Sequence, residues 1–207
     1  MSFNTNTWNR LRYTLYLPIY DLVADRIFRR YRKRSIELLQ AKPDDTILIV
    51  GAGTGLDLPY LQSYTRITAN DITPGMITKL KSRAEKLGVP FEAHVMNGQQ
   101  MTYADYSFDA VILHLIIAVI PDPVACIREV ERVLKPGGTV IVFDKFLPDG
   151  QQPSLLRRLF NQVASTLFSD VNRSIGTIVG HTSLQVELNE PAAFGGTFRI
   201  VRLRKVA

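Results

Sequence analysis

The sequence predicts an α/β protein built on a doubly wound, mostly parallel sheet, with a late antiparallel pair of strands. Three observations predict it. Short apolar runs alternate with helix-like stretches for five rounds between residues 46 and 144. The runs are continuously apolar, which marks strands covered on both faces. A glycine-rich turn follows the first run, where sheets of this kind place ligands.

The elements follow in order. Residues 20–40 place Tyr20, Val23, Ile27 and Tyr31 at three- and four-residue steps with basic residues between them. That spacing predicts a helix, and residues 1–40 read as a helical cap of the domain formed by 41–207. Lys42-Pro43-Asp44-Asp45 is a turn. Residues 46–50 form the first strand, 51–55 the glycine turn and 56–64 a helix. Residues 66–70 form the second strand, ending in Asp71. Residues 74–87 form a helix, with Pro74 in its first turn and Gly88 as its stop. Residues 91–96 and 108–113 are strands. Residues 123–134 form a helix, closed by Lys135-Pro136-Gly137-Gly138 ahead of a fifth strand at 139–144. Residues 154–168 carry Leu155, Leu156, Leu159, Phe160, Val163 and Leu167 on one helical face. Strands at 183–188 and 197–204 are close in sequence and predict an antiparallel pair at a sheet edge. They bring the strands to seven.

Composition narrows the function. At 207 residues, 46% hydrophobic and 21% charged, the chain makes one folded domain and is not disordered. The single Cys126 excludes an internal disulfide framework and a CxxC site. His94, His114 and His181 have no ligand spacing, so no metal is expected. No apolar run reaches the ~18 residues of a membrane span. Arg10 and Arg12 break any signal-peptide pattern. These features predict a cytoplasmic protein. Residues 1–40 hold eight basic residues against three acidic ones, a surplus of five within the chain's net +6. Trp8, Tyr13, Tyr16, Tyr20, Phe28 and Tyr31 interleave with them. The run reads as a solvated helix face or as a docking surface for an anionic membrane at the inner leaflet.

Gly51, Gly53 and Gly55 close the first strand and open the next element, where glycine permits a tight turn and close approach of a ligand. Asp71 ends the second strand, twenty positions after Gly51. A carboxylate there can accept two hydrogen bonds from a ribose diol. A dinucleotide fingerprint would need glycine at position 56, which is Leu56.

Over residues 43–145 the chain resembles the class I S-adenosylmethionine-dependent methyltransferases. Gly51-Ala52-Gly53-Thr54-Gly55 matches their first motif, and Asp71 followed by Ile72 matches their ribose-binding acid. Asn97-Gly98 matches the stretch that reads adenine. Ser107-Phe108-Asp109 and Leu134-Lys135-Pro136-Gly137-Gly138 match the approaches to the fourth and fifth strands. The resemblance implies a Rossmann-like seven-stranded sheet with a reversed final hairpin. It also implies S-adenosylmethionine held by Gly51, Ala52, Gly53, Gly55, Asp71, Ile72, Asn97, Gly98 and His114. Two positions depart from the pattern. Ile49 stands where the family often has an acid. Asn97 stands where Asp is common, and its side-chain carbonyl can still accept from an amino group.

Shorter motifs are similar to the small bacterial phospholipid N-methyltransferases: Tyr20-Asp21-Leu22, Gly55-Leu56-Asp57-Leu58-Pro59, Pro121-Asp122-Pro123, Asp170-Val171-Asn172-Arg173 and Glu190-Pro191-Ala192-Ala193-Phe194-Gly195-Gly196. Broader relatives include ubiquinone/menaquinone-type methyltransferases. Both imply a lipophilic acceptor, with the amine of phosphatidylethanolamine as the first candidate. C- or O-methylation of a quinone or other small molecule, and a cofactor-binding module without catalysis, stand as alternatives. The apolar segment 113–123 lacks the Asn/Asp-Pro-Pro-aromatic motif of nucleobase methyltransferases, so no nucleic-acid partner is expected. His114, ending the fourth strand, reads as a base, a substrate-orienting group or a residue packed on the cofactor. Tyr20 reads as a lid residue or a core aromatic. Oligomeric state is not encoded in these motifs.

Overall fold

A computed structural model describes residues 25–147 and 173–206. The expected helix at 154–168, the candidate Tyr20 and the remaining aromatic and basic residues of 1–24 lie outside the described residues. The strands are β1 (Thr46–Val50), β2 (Arg66–Asp71), β3 (Phe91–Val95), β4 (Phe108–His114), β5 (Leu134–Lys145), β6 (Leu184–Pro191) and β7 (Phe198–Lys205). The helices among the described residues are α1 (25–37), α2 (Pro74–Leu87), α3 (Pro123–Val133) and α4 (Ile175–Val179).

The strands form one seven-stranded sheet in the order β3-β2-β1-β4-β5-β7-β6. β1 to β5 run parallel. β7 pairs antiparallel with both β5 and β6, which puts the late hairpin at the edge. Alternate residues of each central strand serve opposite cores. Leu48 and Val50 of β1 join α3 and α4 through Cys126, Ile127, Val130, Val133, Ile175 and Ile178. Ile47 and Ile49 join α1 and α2 through Ile36, Leu39, Ile77, Leu80 and Ala84. The double winding therefore follows from the continuous apolarity of the strands, because both faces are covered. Gly88 ends α2 at φ +64, as its position predicted.

Three expectations change. Residues 56–64 do not form an α-helix. They hold a single 3-10 turn at Leu58–Tyr60, because Pro59 has no N–H to donate and because Leu58, Leu61 and Tyr64 are all drawn into the core. β5 starts at Leu134, ahead of the expected Pro-Gly-Gly break. Leu134 pairs with Phe108, the register then shifts, and Gly137 takes φ +72, so the loop is absorbed as an irregularity in one strand. On α1, Ile27 is exposed. The inward face is Phe28, Arg32, Ser35 and Ile36, which includes two polar residues that hydrophobic spacing could not mark.

Candidate active site

β1 lies between β2 and β4, so the chain reverses direction across the sheet at this point and leaves a crevice at the strand ends. The crevice is a cleft open to solvent at one side. Gly51, Ala52, Gly53, Asp71, Ile72, Asn97, Gly98 and His114 all line it. Gly55 does not. A Cβ there would lie 2.5 Å from Leu80 Cδ1 and 3.0 Å from Leu58 Cδ1, so this glycine serves the packing of the loop on α2.

The end of β2 holds the glycine loop in place. The Gly51 N–H donates to Asn70 Oδ1 at 3.3 Å and the Ala52 N–H to the Asn70 carbonyl at 2.9 Å. Asp71 Oδ2 accepts from the Gly53 N–H at 3.0 Å, and Oδ1 accepts from the Thr73 N–H at 2.8 Å. Each oxygen keeps lone-pair capacity for a ligand donor. Burial pushes the Asp71 carboxyl up, against the two N–H donors that lower it. Asn97 Oδ1 accepts from the Gln99 N–H at 3.0 Å, which fixes its amide at the cleft. Ile49, at the position that often carries an acid, is buried in the core on the α1–α2 side.

The far wall comes from the chain after β4. Leu115 has φ +59, a left-handed conformation uncommon outside glycine. It turns the chain back over the loop and sets Ile116 against Gly51, where a Cβ would meet Ile116 Cγ1 and Cδ1 at 2.7 Å. The turn is pinned from below. Asp144 Oδ2 accepts from the Ala118 N–H at 2.9 Å, and Arg173 donates to the carbonyls of Ile117 and Ile120. Burial pushes the Asp144 carboxyl up. Ile117 and Ala118 are core residues, so the apolarity of 113–123 is partly structural. Leu115, Ile116, Val119 and Ile120 line the cleft. Gly51 has φ +67, so a side chain there is strained as well as crowded. We expect Gly51→Ala to weaken cofactor binding at least tenfold in calorimetry. Adding Ile116→Ala should recover only part of the loss, since it relieves the clash and not the dihedral.

His114 sits at the floor of the cleft with its side chain 1% exposed. Its Nδ1 is 2.8 Å from Asp57 Oδ1 and its Nε2 is 2.9 Å from Ser35 Oγ. Arg32 Nη1 donates to the same Asp57 oxygen at 2.7 Å. Burial would raise the Asp57 carboxyl, but Arg32 and His114 outweigh it and hold the group well below the usual carboxylate range. Sequence reading missed Arg32, Ser35, Asp57 and Asn70 as members of the site. In the sequence Asp57 stands out only inside the Gly55–Pro59 motif, and Arg32 lies within a basic run whose spacing reads as a surface.

The chain matches known proteins in sequence and in fold. A methyltransferase domain matches residues 48–142. The chain is similar to phosphatidylethanolamine N-methyltransferase of Cereibacter sphaeroides, 25% identical over 189 residues that cover 90% of this chain and 93% of that one. It is 34% identical over 138 residues to demethylmenaquinone methyltransferase of Corynebacterium efficiens, covering 66% of this chain and 56% of that one. In fold it is similar to the geranyl diphosphate C-methyltransferase of Streptomyces coelicolor A3(2), with a TM-score of 0.71 and 15% identity over 88% of this chain and 80% of that one.

Proposed function

We propose that this chain, an S-adenosylmethionine-dependent methyltransferase with a methyltransferase domain over residues 48–142, methylates an amphiphilic acceptor, first the amine of a phospholipid headgroup such as phosphatidylethanolamine. The observation that carries the proposal is the span of similarity. The match to the phosphatidylethanolamine N-methyltransferase runs through 90% of this chain, beyond the cofactor-binding half. A second reading, C- or O-methylation of a quinone, is favoured by the higher identity of the demethylmenaquinone methyltransferase over a shorter span.

The cleft suits the cofactor in shape and chemistry. No atom lies within 4 Å of where a Cβ on Gly53 would be, and its φ is +56, so the loop opens at that residue. Asp71 offers a carboxylate to the ribose hydroxyls, and Asn97 with Gly98 borders the adenine end. When bound, the cofactor supplies a methyl group already activated on a sulfonium. The chain's own task is alignment and exclusion of water. Leu115, Ile116, Val119 and Ile120 supply the apolar wall. An acceptor amine has an ordinary pKa near that of lysine, about 10, and must be neutral to attack. Desolvation against this wall favours the neutral form. His114 has both ring nitrogens engaged by Asp57 and Ser35, which supports an orienting role over that of an open base. Tyr20 is retained as a candidate lid residue on the strength of its motif.

An anionic membrane surface is part of the proposal. Arg26, Arg29, Arg30, Lys33 and Arg34 are exposed on α1, whereas Arg32 is buried and leaves that set. Arg29, Lys33 and Arg34 pair with Asp25, Glu37 and Glu190, which reduces the charge offered to lipid. No helix among the described residues is long and apolar enough to cross a membrane.

The test is transfer from methyl-labelled S-adenosylmethionine into a cell extract split into organic and aqueous phases. The proposal expects label in the organic phase, migrating with methylated amine lipids. Organic label on a neutral aromatic species would replace it with the quinone reading. Label confined to the aqueous phase would overturn the lipophilic acceptor.

A further inference from the structure

Ser35, His114 and Asp57 stand in the hydrogen-bonding order of a hydrolase triad, at 2.9 and 2.8 Å. They are not one. Ser35 is 0% exposed in α1 and does not line the cleft, so no substrate carbonyl reaches its hydroxyl. The chain ends on a charge. Arg32 lies 2.7 Å from the Asp57 oxygen that also faces His114, and the Arg32 and Asp57 side chains are 6% and 4% exposed.

The distribution of these four residues gives the chain its meaning. Arg32 and Ser35 come from α1, one turn apart. Asp57 lies two residues beyond Gly55, next to the glycine loop. His114 ends β4, directly before the left-handed Leu115 that sets Ile116 over Gly51. Arg32, Asp57 and His114 all reach the cofactor cleft. Taking an ion pair out of water carries a desolvation cost for each ion, and apolar residues could fill the same space. What the polar chain supplies is fixed geometry among three elements that have no covalent reason to stay in register.

We infer that Arg32 and Ser35 are positioning residues for the methyl-transfer site: through Asp57 and His114 they couple the seating of α1 to the shape of the cofactor cleft. If α1 lifts, Asp57 loses its cation and His114 loses its hydroxyl partner. Both walls of the cleft are then released. By linkage, cofactor binding must seat α1 by the same free energy with which a seated α1 favours the cofactor.

The experiment reads hydrogen exchange of residues 25–37 with and without S-adenosylhomocysteine, and its Kd by calorimetry. In the wild type the ligand is expected to slow exchange across α1. Ser35→Ala should lose most of that slowing and weaken Kd about tenfold, the worth of one buried hydrogen bond. Ser35→Thr, which keeps a hydroxyl, should restore both. Lys33→Ala, on the exposed face of the same helix, should change neither. Arg32→Lys keeps the charge but loses the planar fork, and should behave like Ser35→Ala. If Ser35→Ala does not fold by circular dichroism, Arg32→Lys decides. Wild-type Kd together with full ligand-dependent slowing in the Ser35→Ala or Arg32→Lys protein would overturn the coupling, as would an α1 whose exchange ignores the ligand in the wild type. The readouts use no methyl acceptor, so failure of the phospholipid proposal leaves this inference standing.

Discussion

Replacing Asp57 with alanine is expected to cost about 3–5 kcal/mol of folding stability, because it removes the buried carboxylate that faces the buried Arg32 guanidinium. For a domain of this size each kcal/mol moves Tm by roughly 2–4 °C, so a fall of about 10 °C is expected in a thermal melt. The pH dependence has a definite sign. The folded carboxyl of Asp57 titrates below its unfolded value, since Arg32 and His114 outweigh the burial that would raise it. Its contribution is therefore complete above the ordinary carboxylate range near pH 4 and is lost as the pH falls below that range. The stability gap between wild type and Asp57→Asn, measured by urea unfolding, should be full at pH 7 and shrink steadily below about pH 4. A gap that stayed constant through that window would mean that the ion pair is not what holds the segment. Asp71 and Asp144 act in the opposite direction. Burial raises both, so acid relieves the cost of keeping them ionised.

Asp71→Ala is expected to raise the Kd for S-adenosylhomocysteine by about 100-fold or more. Two effects add. The ribose loses a charged acceptor, and hydrogen bonds to charged groups are worth about 1.5–3 kcal/mol each. The Gly53 and Thr73 N–H groups also lose the carboxylate that holds the glycine loop against β2. Calorimetry at neutral pH separates this from unfolding if the melt of the free protein is recorded alongside. Asp71→Asn, which keeps one carbonyl acceptor, should fall between the two. Wild-type affinity in the alanine variant would remove Asp71 from the ribose site.

The cofactor half was legible because its signals are local. Each central strand is a run of apolar residues, and the run itself reports coverage of both faces. The glycine triplet announces positive φ, and Gly51 and Gly53 adopt it at the cleft. Asp71 was placed by its position at a strand end. The third glycine shows the limit of such reading. Gly55 has the same conformational freedom, yet it faces Leu80 and Leu58, and only the packing of α2 reveals that.

By itself, then, the sequence determined the alternation of strands and helices, the antiparallel late pair, and the loop and acid that meet at the ends of β1 and β2. These depend on burial averaged over a few neighbouring residues, which hydrophobic spacing records. The tertiary structure decided which face of α1 turns inward, that 56–64 cannot be helical, and that Arg32, Ser35, Asp57 and His114 form one buried chain. Those choices depend on pairing between residues far apart, with Asp57 lying 25 positions from Arg32 and His114 lying 79 from Ser35. A cation in a basic run is solvated unless a specific anion meets it in the core, and the local sequence carries no record of where that anion will be.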